Sequence, residues 1–97
     1  SMSTEVDEAF VQQFEVVKEV ISNIRSIRLQ KNIAQKEALE LQVIGENPVV
    51  AFNAVVTKMC NLSSINVVEN KADGAASFMV GTTEYAVPLG NMIDVEA

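Results

Sequence analysis

Histidine is absent from this chain of 97 residues, and cysteine occurs once, at Cys60. Without histidine the commonest general base at neutral pH is missing, and no Cys/His cluster can hold zinc. One cysteine excludes an internal disulfide, so we expect a reducing compartment and a buried, unreactive Cys60. The four glycines stand singly rather than in a phosphate-binding loop. We therefore expect a noncatalytic segment without a metal or cofactor site of its own.

Positive charge is also scarce, with 7 Lys and Arg residues against 13 Asp and Glu residues and a net charge of -6. This balance argues against DNA as a partner, because phosphate contacts require clustered cations. No run approaches the roughly 20 apolar residues of a membrane-spanning helix, so we expect a cytoplasmic location without a membrane partner. The length suits one α/β domain over residues 1–97. Ser1-Met2 resembles a cloning remnant, which predicts a piece of a longer protein.

Hydrophobic periodicity predicts a small two-layer α+β domain in the order α-β-α-β-β-β. A long amphipathic helix is expected over 6–28, with Phe10 and Phe14 on its buried stripe. Asn47-Pro48 predicts the start of a second helix that runs to about Leu62. Alternation and turn signals predict four strands, at 38–44, 65–68, 76–80 and 84–89.

Both helices are expected on one face of a mostly antiparallel four-stranded sheet. Pro88 cannot donate to a strand ladder, so the last strand should lie at an edge or end there. Met59, Met79 and Met92 are interpreted as gap fillers in the core.

The first helix carries a basic edge formed by Lys18, Arg25, Arg28 and Lys31, which fall within less than half of its circumference. Cations in the last turns complement the helix C-terminus, and long arginine stems can cover apolar surface, which is a purely structural role. The functional interpretation is contact with an RNA phosphate backbone. Phenylalanines buried on the same helix would offer no platform for base stacking. The residues themselves leave both interpretations open.

Two stretches, ISNIRSIRLQKNIAQKEALEL at 21–41 and AVPLGNMIDVEA at 86–97, carry a family resemblance. They show a helix ending in two arginines three apart, an Asn-Ile pair, a lysine before an alternating strand, and a final Ile-Asp-X-Glu segment. With these features nearly the whole chain resembles the C-terminal part of bacterial valyl-tRNA synthetases. In that family the region lies between the helical anticodon-binding domain and a C-terminal coiled coil.

The resemblance implies a parent enzyme that attaches valine to its tRNA using ATP, with zinc as a second candidate cofactor. The family's ATP-binding signatures are not in these residues, so this segment is expected to connect and position the neighbouring parts on tRNA. Its implied partners are the tRNA for valine and the rest of the same chain. Arg25 and Arg28 match the family's two arginines, which implies a tRNA-backbone or interdomain contact. The alternative is an autonomous protein-interaction domain without an RNA role, which would pair through its last strand.

Overall fold

The computed structural model describes residues 3–89, with side chains from residue 8 onward. The predicted small α+β architecture is confirmed. The elements are α1 (Ser3–Lys31), β1 (Leu39–Ile44), a 3-10 turn (Val50–Phe52), α2 (Asn53–Cys60), β2 (Leu62–Val68), β3 (Ala76–Val80) and β4 (Thr83–Val87). No helix among these residues combines the length and the apolar character needed to cross a membrane.

The four strands form one mixed sheet in the order β2-β1-β4-β3. The β1–β2 pairing is parallel, whereas β4 pairs antiparallel with both β1 and β3, so the sheet is mostly antiparallel as predicted. The alternating burial of β1 puts Leu39, Leu41 and Val43 in the core and half-exposes the residues between them. This inner face meets the buried stripe of α1, which includes Val20 and Ile24. Core packing therefore fixes α1 against the sheet.

The end of α1 is a complete Schellman motif, in which Asn32 adopts the left-handed conformation at φ 58°. The amide of Asn32 donates to the carbonyl of Leu29 at 3.3 Å, and that of Ile33 donates to the carbonyl of Arg28 at 2.8 Å. Ile33 is itself buried in the core. The helix thus ends at Lys31, three residues beyond the predicted end, and the chain turns back towards the sheet.

The predicted bounds of the second helix are wrong at both ends. Asn47 does not cap it: its side-chain oxygen accepts from the amide of Val49 at 2.9 Å, and a 3-10 turn precedes α2. At the other end, Asn61 is left-handed at φ 54° and closes the helix, so Leu62 already belongs to β2. At the N-terminal end, the local turn formed by the Asn47 side chain competes with helix formation. At the C-terminal end, Leu62 pairs with Leu39 in the sheet, and therefore does not continue the helix.

The last strand is internal to the sheet rather than at its edge, which corrects one of the two options that Pro88 suggested. The other option is confirmed, because β4 ends at Val87, immediately before the proline. Tyr85, Ala86 and Val87 are buried in succession, so β4 is covered on both faces. An internal β4 leaves β2 and β3 as the two edges of the sheet over residues 3–89.

The outer face of β4 is covered by the connection 69–75, which leads from one edge strand to the other. Its Lys71 ammonium contacts the Glu84 carboxylate at 2.7 Å, and the amide of Ala72 donates to the side-chain oxygen of Gln42 at 2.9 Å. Ala86, which faces away from Tyr85, is consequently fully buried.

Candidate functional site

The basic edge predicted on α1 does not form one continuous exposed row. Lys18, Arg25 and Lys31 are exposed, whereas Arg28 is only 4% exposed. Lys18 lies 3.3 Å from the carboxylate of Glu15 and 5.7 Å from the centre of the Phe14 ring. Both charged groups of that pair are more than half exposed, so their interaction contributes little to stability.

Arg28 connects the end of α1 to two other segments through backbone carbonyls. Its Nη1 donates to the carbonyl of Ala34, and its Nη2 donates to those of Glu37 at 2.8 Å, Cys60 at 2.9 Å and Asn61 at 3.3 Å. The first two acceptors lie in the loop after α1, and the other two end α2. Because the terminal nitrogens donate to these acceptors, we assign Arg28 the structural role that the sequence left open, while the tRNA or interdomain contact predicted for it stays a prediction.

Burial lowers the pKa of the Arg28 guanidinium, and the opposing influences of Cys60 and Glu37 are smaller. An arginine nevertheless keeps its charge at any physiological pH. Its Nε is buried without a hydrogen-bond partner among the described residues. The structure thus holds a desolvated cation whose only described acceptors are carbonyl dipoles.

Arg25 is placed differently, on the rim between two surface grooves. One groove, of about 310 Å³, also contains Leu29, Asn32 and Gln35. The other, of about 480 Å³, runs between α1 and α2 and contains Phe14 and Met59. Among residues 8–89, whose side chains the structure describes, neither Arg25 nor Lys31 forms an ion pair. Both cations can therefore meet an external anion, and the contact predicted for Lys18, Arg25 and Lys31 stays a prediction.

The sequence contains a further signal of clustered positive charge at the end of α1, over residues 25–36, which we call the basic end. Residues 25–36 contain four cations, Arg25, Arg28, Lys31 and Lys36, and no acid. The Schellman motif turns the chain at Asn32, so Lys36 lies in the loop held by Arg28 rather than further along a helix. A local charge of +4 thus lies around the C-terminal end of α1, in a chain whose net charge is -6.

The two phenylalanines of α1 are exposed, which corrects the prediction that they lie on its buried stripe. Phe10 is 58% exposed and Phe14 43%, and their rings stack with centroids 6.3 Å apart. The domain's own core begins further along the helix, at Val17. Met59 and Met79 are likewise about half exposed rather than core fillers. Met92 lies outside the described residues.

Cys60 is buried and free, as predicted. Burial raises the pKa of its thiol, and the opposing influence of Arg25 and Arg28 is smaller. Such a thiol stays protonated and is a poor nucleophile at neutral pH. In the part of the chain that the structure describes, no three His, Cys, Asp or Glu side chains form a group that could hold a metal ion.

Comparison with known proteins finds relatives that match this chain over nearly its whole length. A valine-tRNA ligase of Bacteroides thetaiotaomicron is 84% identical over 97 residues, which is 100% of this chain and 11% of that protein. The chain matches one segment of valine-tRNA ligases from end to end. The valine-tRNA ligase of Phocaeicola vulgatus is 70% identical over 99% of this chain and 11% of its own length. That of Porphyromonas gingivalis is 48% identical over 95% of this chain and 10% of its own. No protein-family model matches the chain.

These matches confirm the resemblance to valyl-tRNA synthetases and support an origin in a valine-tRNA ligase. The chain spans only about a tenth of the length of these relatives. Of the motif residues, Arg25 and Arg28 lie in α1, and the first strand of the motif is β1. The closing Ile-Asp-X-Glu segment lies outside the described residues, so the structure does not test that part of the resemblance.

Proposed function

We propose that this segment is a noncatalytic part of a valine-tRNA ligase, which connects and positions the anticodon-binding domain and the coiled-coil arm on tRNA. The parent enzyme attaches valine to its tRNA in the cytoplasm, using ATP bound elsewhere in the chain. The described residues offer neither a glycine-rich loop for phosphates nor a set of zinc ligands, so no catalytic step is assigned to them.

The observation that carries the proposal is the match of the whole chain to about a tenth of valine-tRNA ligases, at up to 84% identity. The name of those relatives states that they ligate valine to tRNA. A segment of this size can serve the reaction without reacting groups, because correct placement of two reactants accounts for a large part of a rate enhancement.

The way in which α1, the loop after it and the end of α2 are connected, which we call the joint, supports a positioning role. Arg28 holds α1, the following loop and the end of α2 together through carbonyls that lie up to 33 residues away from it in sequence. The Schellman motif at Asn32 further fixes the direction in which the chain leaves α1. A joint held in this way keeps α1 at a constant angle to the sheet, so parts attached at its two ends keep their spacing.

The exposed cations at this end support a contact with the tRNA backbone. Arg25 and Lys31 form no ion pair with the side chains described from residue 8 to residue 89, whereas Lys18 is partly neutralised by Glu15. Phosphate contacts of this kind give affinity without sequence information, which suits a positioning role. Because the segment as a whole is acidic, its contribution should be small and strongly dependent on salt.

The test is binding of valine tRNA to the full synthetase in which Arg25 and Lys31 are both replaced by Gln. We expect weaker binding, and a plot of log affinity against log salt whose slope is shallower by about one for each phosphate that the variant no longer binds. Aminoacylation should show a raised KM for tRNA, and valine activation with ATP should be unchanged.

Lys71→Gln is the matched control, because Lys71 is also an exposed lysine but lies over the outer face of the sheet, paired with Glu84. It should change neither the affinity nor the salt slope. If the double variant also changes neither, the cations serve an interdomain contact, and the backbone contact is refuted.

The alternative, an autonomous protein-interaction domain that pairs through its last strand, is disfavoured by the internal position of β4. An antibody to this segment distinguishes the two on a blot of source cells. A band near 10.5 kDa would support the autonomous domain, and a much heavier band the synthetase.

A further inference from the structure

We propose that the seam between α1 and α2 is a docking groove for another segment of the same synthetase chain, an amphipathic helix with an acidic residue near Arg25. This inference rests on the proposed origin in a valine-tRNA ligase. It adds the face through which the segment is seated in the enzyme and the chemistry of what binds there.

The groove is mostly apolar, although Lys18 and Ser22 line it together with Phe14, Met59 and Arg25. Phe10 adjoins it, because its ring stacks on that of Phe14 and meets that of Phe52, with centroids 5.7 Å apart in the second pair. From Phe10 to Arg25 this surface follows α1 for about 22 Å at 1.5 Å per residue, which is the length of roughly four helical turns.

Exposed hydrophobic residues are concentrated on the elements that flank this groove. Among residues 8–89 nine large hydrophobic residues are exposed, and six of them lie on the first half of α1, the 3-10 turn or α2: Phe10, Val11, Phe14, Val50, Val55 and Met59. The two phenylalanines alone expose on the order of 200 Å², since a fully exposed ring residue presents roughly 150–250 Å². Val55 and Met59 line the groove and add to this area, and exposed apolar patches of several hundred Å² are typical of interaction sites.

The occupant is inferred from chain length and charge. The relatives are about nine times longer than this segment, so a large remainder of polypeptide is tethered to the groove. Tethering makes docking intramolecular, at an effective concentration of about millimolar, and an interdomain contact of 600–1,500 Å² is ordinary. A groove between two helices accepts a third helix by ridge-into-groove packing. Arg25 forms no ion pair among residues 8–89, whose side chains the structure describes, and calls for a carboxylate on that helix.

The same surface is poorly suited to tRNA, although it contains aromatic rings. Val55 and Met59 supply no π-face on which a base could stack. Two carboxylates, Glu8 and Glu15, lie on the same half of α1, and Glu19 follows two residues beyond it; all three repel phosphates. The apolar groove and the basic end therefore face different partners, with Arg25 at their boundary.

The test places a benzophenone amino acid at position 59 of the full-length synthetase and maps its photo-cross-links by mass spectrometry, with and without valine tRNA. Position 79 is the matched control, because Met79 is a methionine of similar exposure, 57% against 51%, on β3 rather than in the groove. We expect position 59 to give a cross-link to a segment of the same chain outside these 97 residues, and position 79 to give none to that segment. Phe14→Asp should abolish the product from position 59, because a carboxylate in the groove repels an apolar and acidic occupant.

Cross-links from position 59 to tRNA, to a second copy of the chain, only within the 97 residues, or to nothing would each overturn the inference. The tRNA-binding and aminoacylation measurements separate the two proposals when Lys31 alone is replaced by Gln, because Lys31 does not line the groove. If the variant binds tRNA normally while the intrachain cross-link forms, the backbone contact is refuted and the docking groove stands. If the variant binds tRNA more weakly while no intrachain cross-link forms, only the docking groove is refuted.

Discussion

Replacing Arg28 by Ala tests whether a buried cation, rather than an RNA contact, occupies the end of α1. The substitution removes the donors to four backbone carbonyls, those of Ala34, Glu37, Cys60 and Asn61. The carbonyl of Cys60 is buried, so it would be left unsatisfied, at a cost of about 1–3 kcal/mol. The other three are partly exposed, so water can replace most of their bonds.

Removal of the buried side chain adds to this cost, whereas relief of the desolvated charge subtracts from it. We therefore expect the free energy of unfolding to fall by about 2–4 kcal/mol, which is large for a small domain of marginal stability. The assay is urea unfolding of the 97-residue chain followed by circular dichroism. Arg25→Ala is the control, because it removes an exposed arginine one turn earlier and should cost at most about 0.5 kcal/mol.

Arg28→Lys distinguishes charge from geometry. A lysine keeps the charge but offers a point-like ammonium in place of the planar fork that reaches two segments at once. It should recover only part of the stability that Arg28→Ala removes. If Arg28→Ala is no more destabilising than Arg25→Ala, the bonds to the carbonyls do not stabilise the fold, and the assignment of Arg28 to a structural role is refuted.

Three further predictions concern the core and the end of α2. Tyr85→Phe should change the free energy of unfolding by less than about 1 kcal/mol, because the buried hydroxyl has no hydrogen-bond partner among the described residues; a larger decrease in urea unfolding would reveal a partner. Asn61→Ala should destabilise by about 1–2 kcal/mol, since it forces a left-handed φ of 54° on alanine and removes the 2.8 Å bond to the carbonyl of Gln35, and Asn61→Gly should relieve the strain but not restore the bond. Stability should fall as the pH rises above 9.0, the ordinary thiol value, because burial raises the pKa of Cys60 and the unfolded chain loses its proton first. Burial raises the pKa of Tyr85 in the same direction, so a pH titration of Cys60→Ala should lessen the fall without abolishing it.

Local sequence patterns predicted which helices and strands form more reliably than they predicted which elements lie next to each other in space. The strand β1 was predicted within one residue, because alternation of Leu39, Leu41 and Val43 directly reflects one buried face. The bounds of α2 were missed, because Asn47 formed a local turn and Leu62 was drawn into strand pairing. The position of β4 was also missed, although three consecutive buried residues are typical of a strand covered on both faces.

Periodicity could not distinguish a core face from a docking face on α1. The apolar stripe runs through Phe10 and Phe14 without a break, but the sheet and α2 are long enough to cover it only from about Val17 onward. A stripe is a property of one helix, whereas its burial depends on how much partner surface the fold supplies. The same limit applies to the basic edge, where spacing grouped four cations and packing separated Arg28 from the rest.

The sequence alone determined the class of fold, the family resemblance and the acidic charge balance, because composition and short-range periodicity are encoded residue by residue. Only the tertiary structure decided that Arg28 holds three segments together, and that Phe10, Phe14 and Met59 belong to one exposed surface. These features join residues that are up to 49 positions apart along the chain. Such proximity arises from the packing of separate elements, which no local pattern specifies.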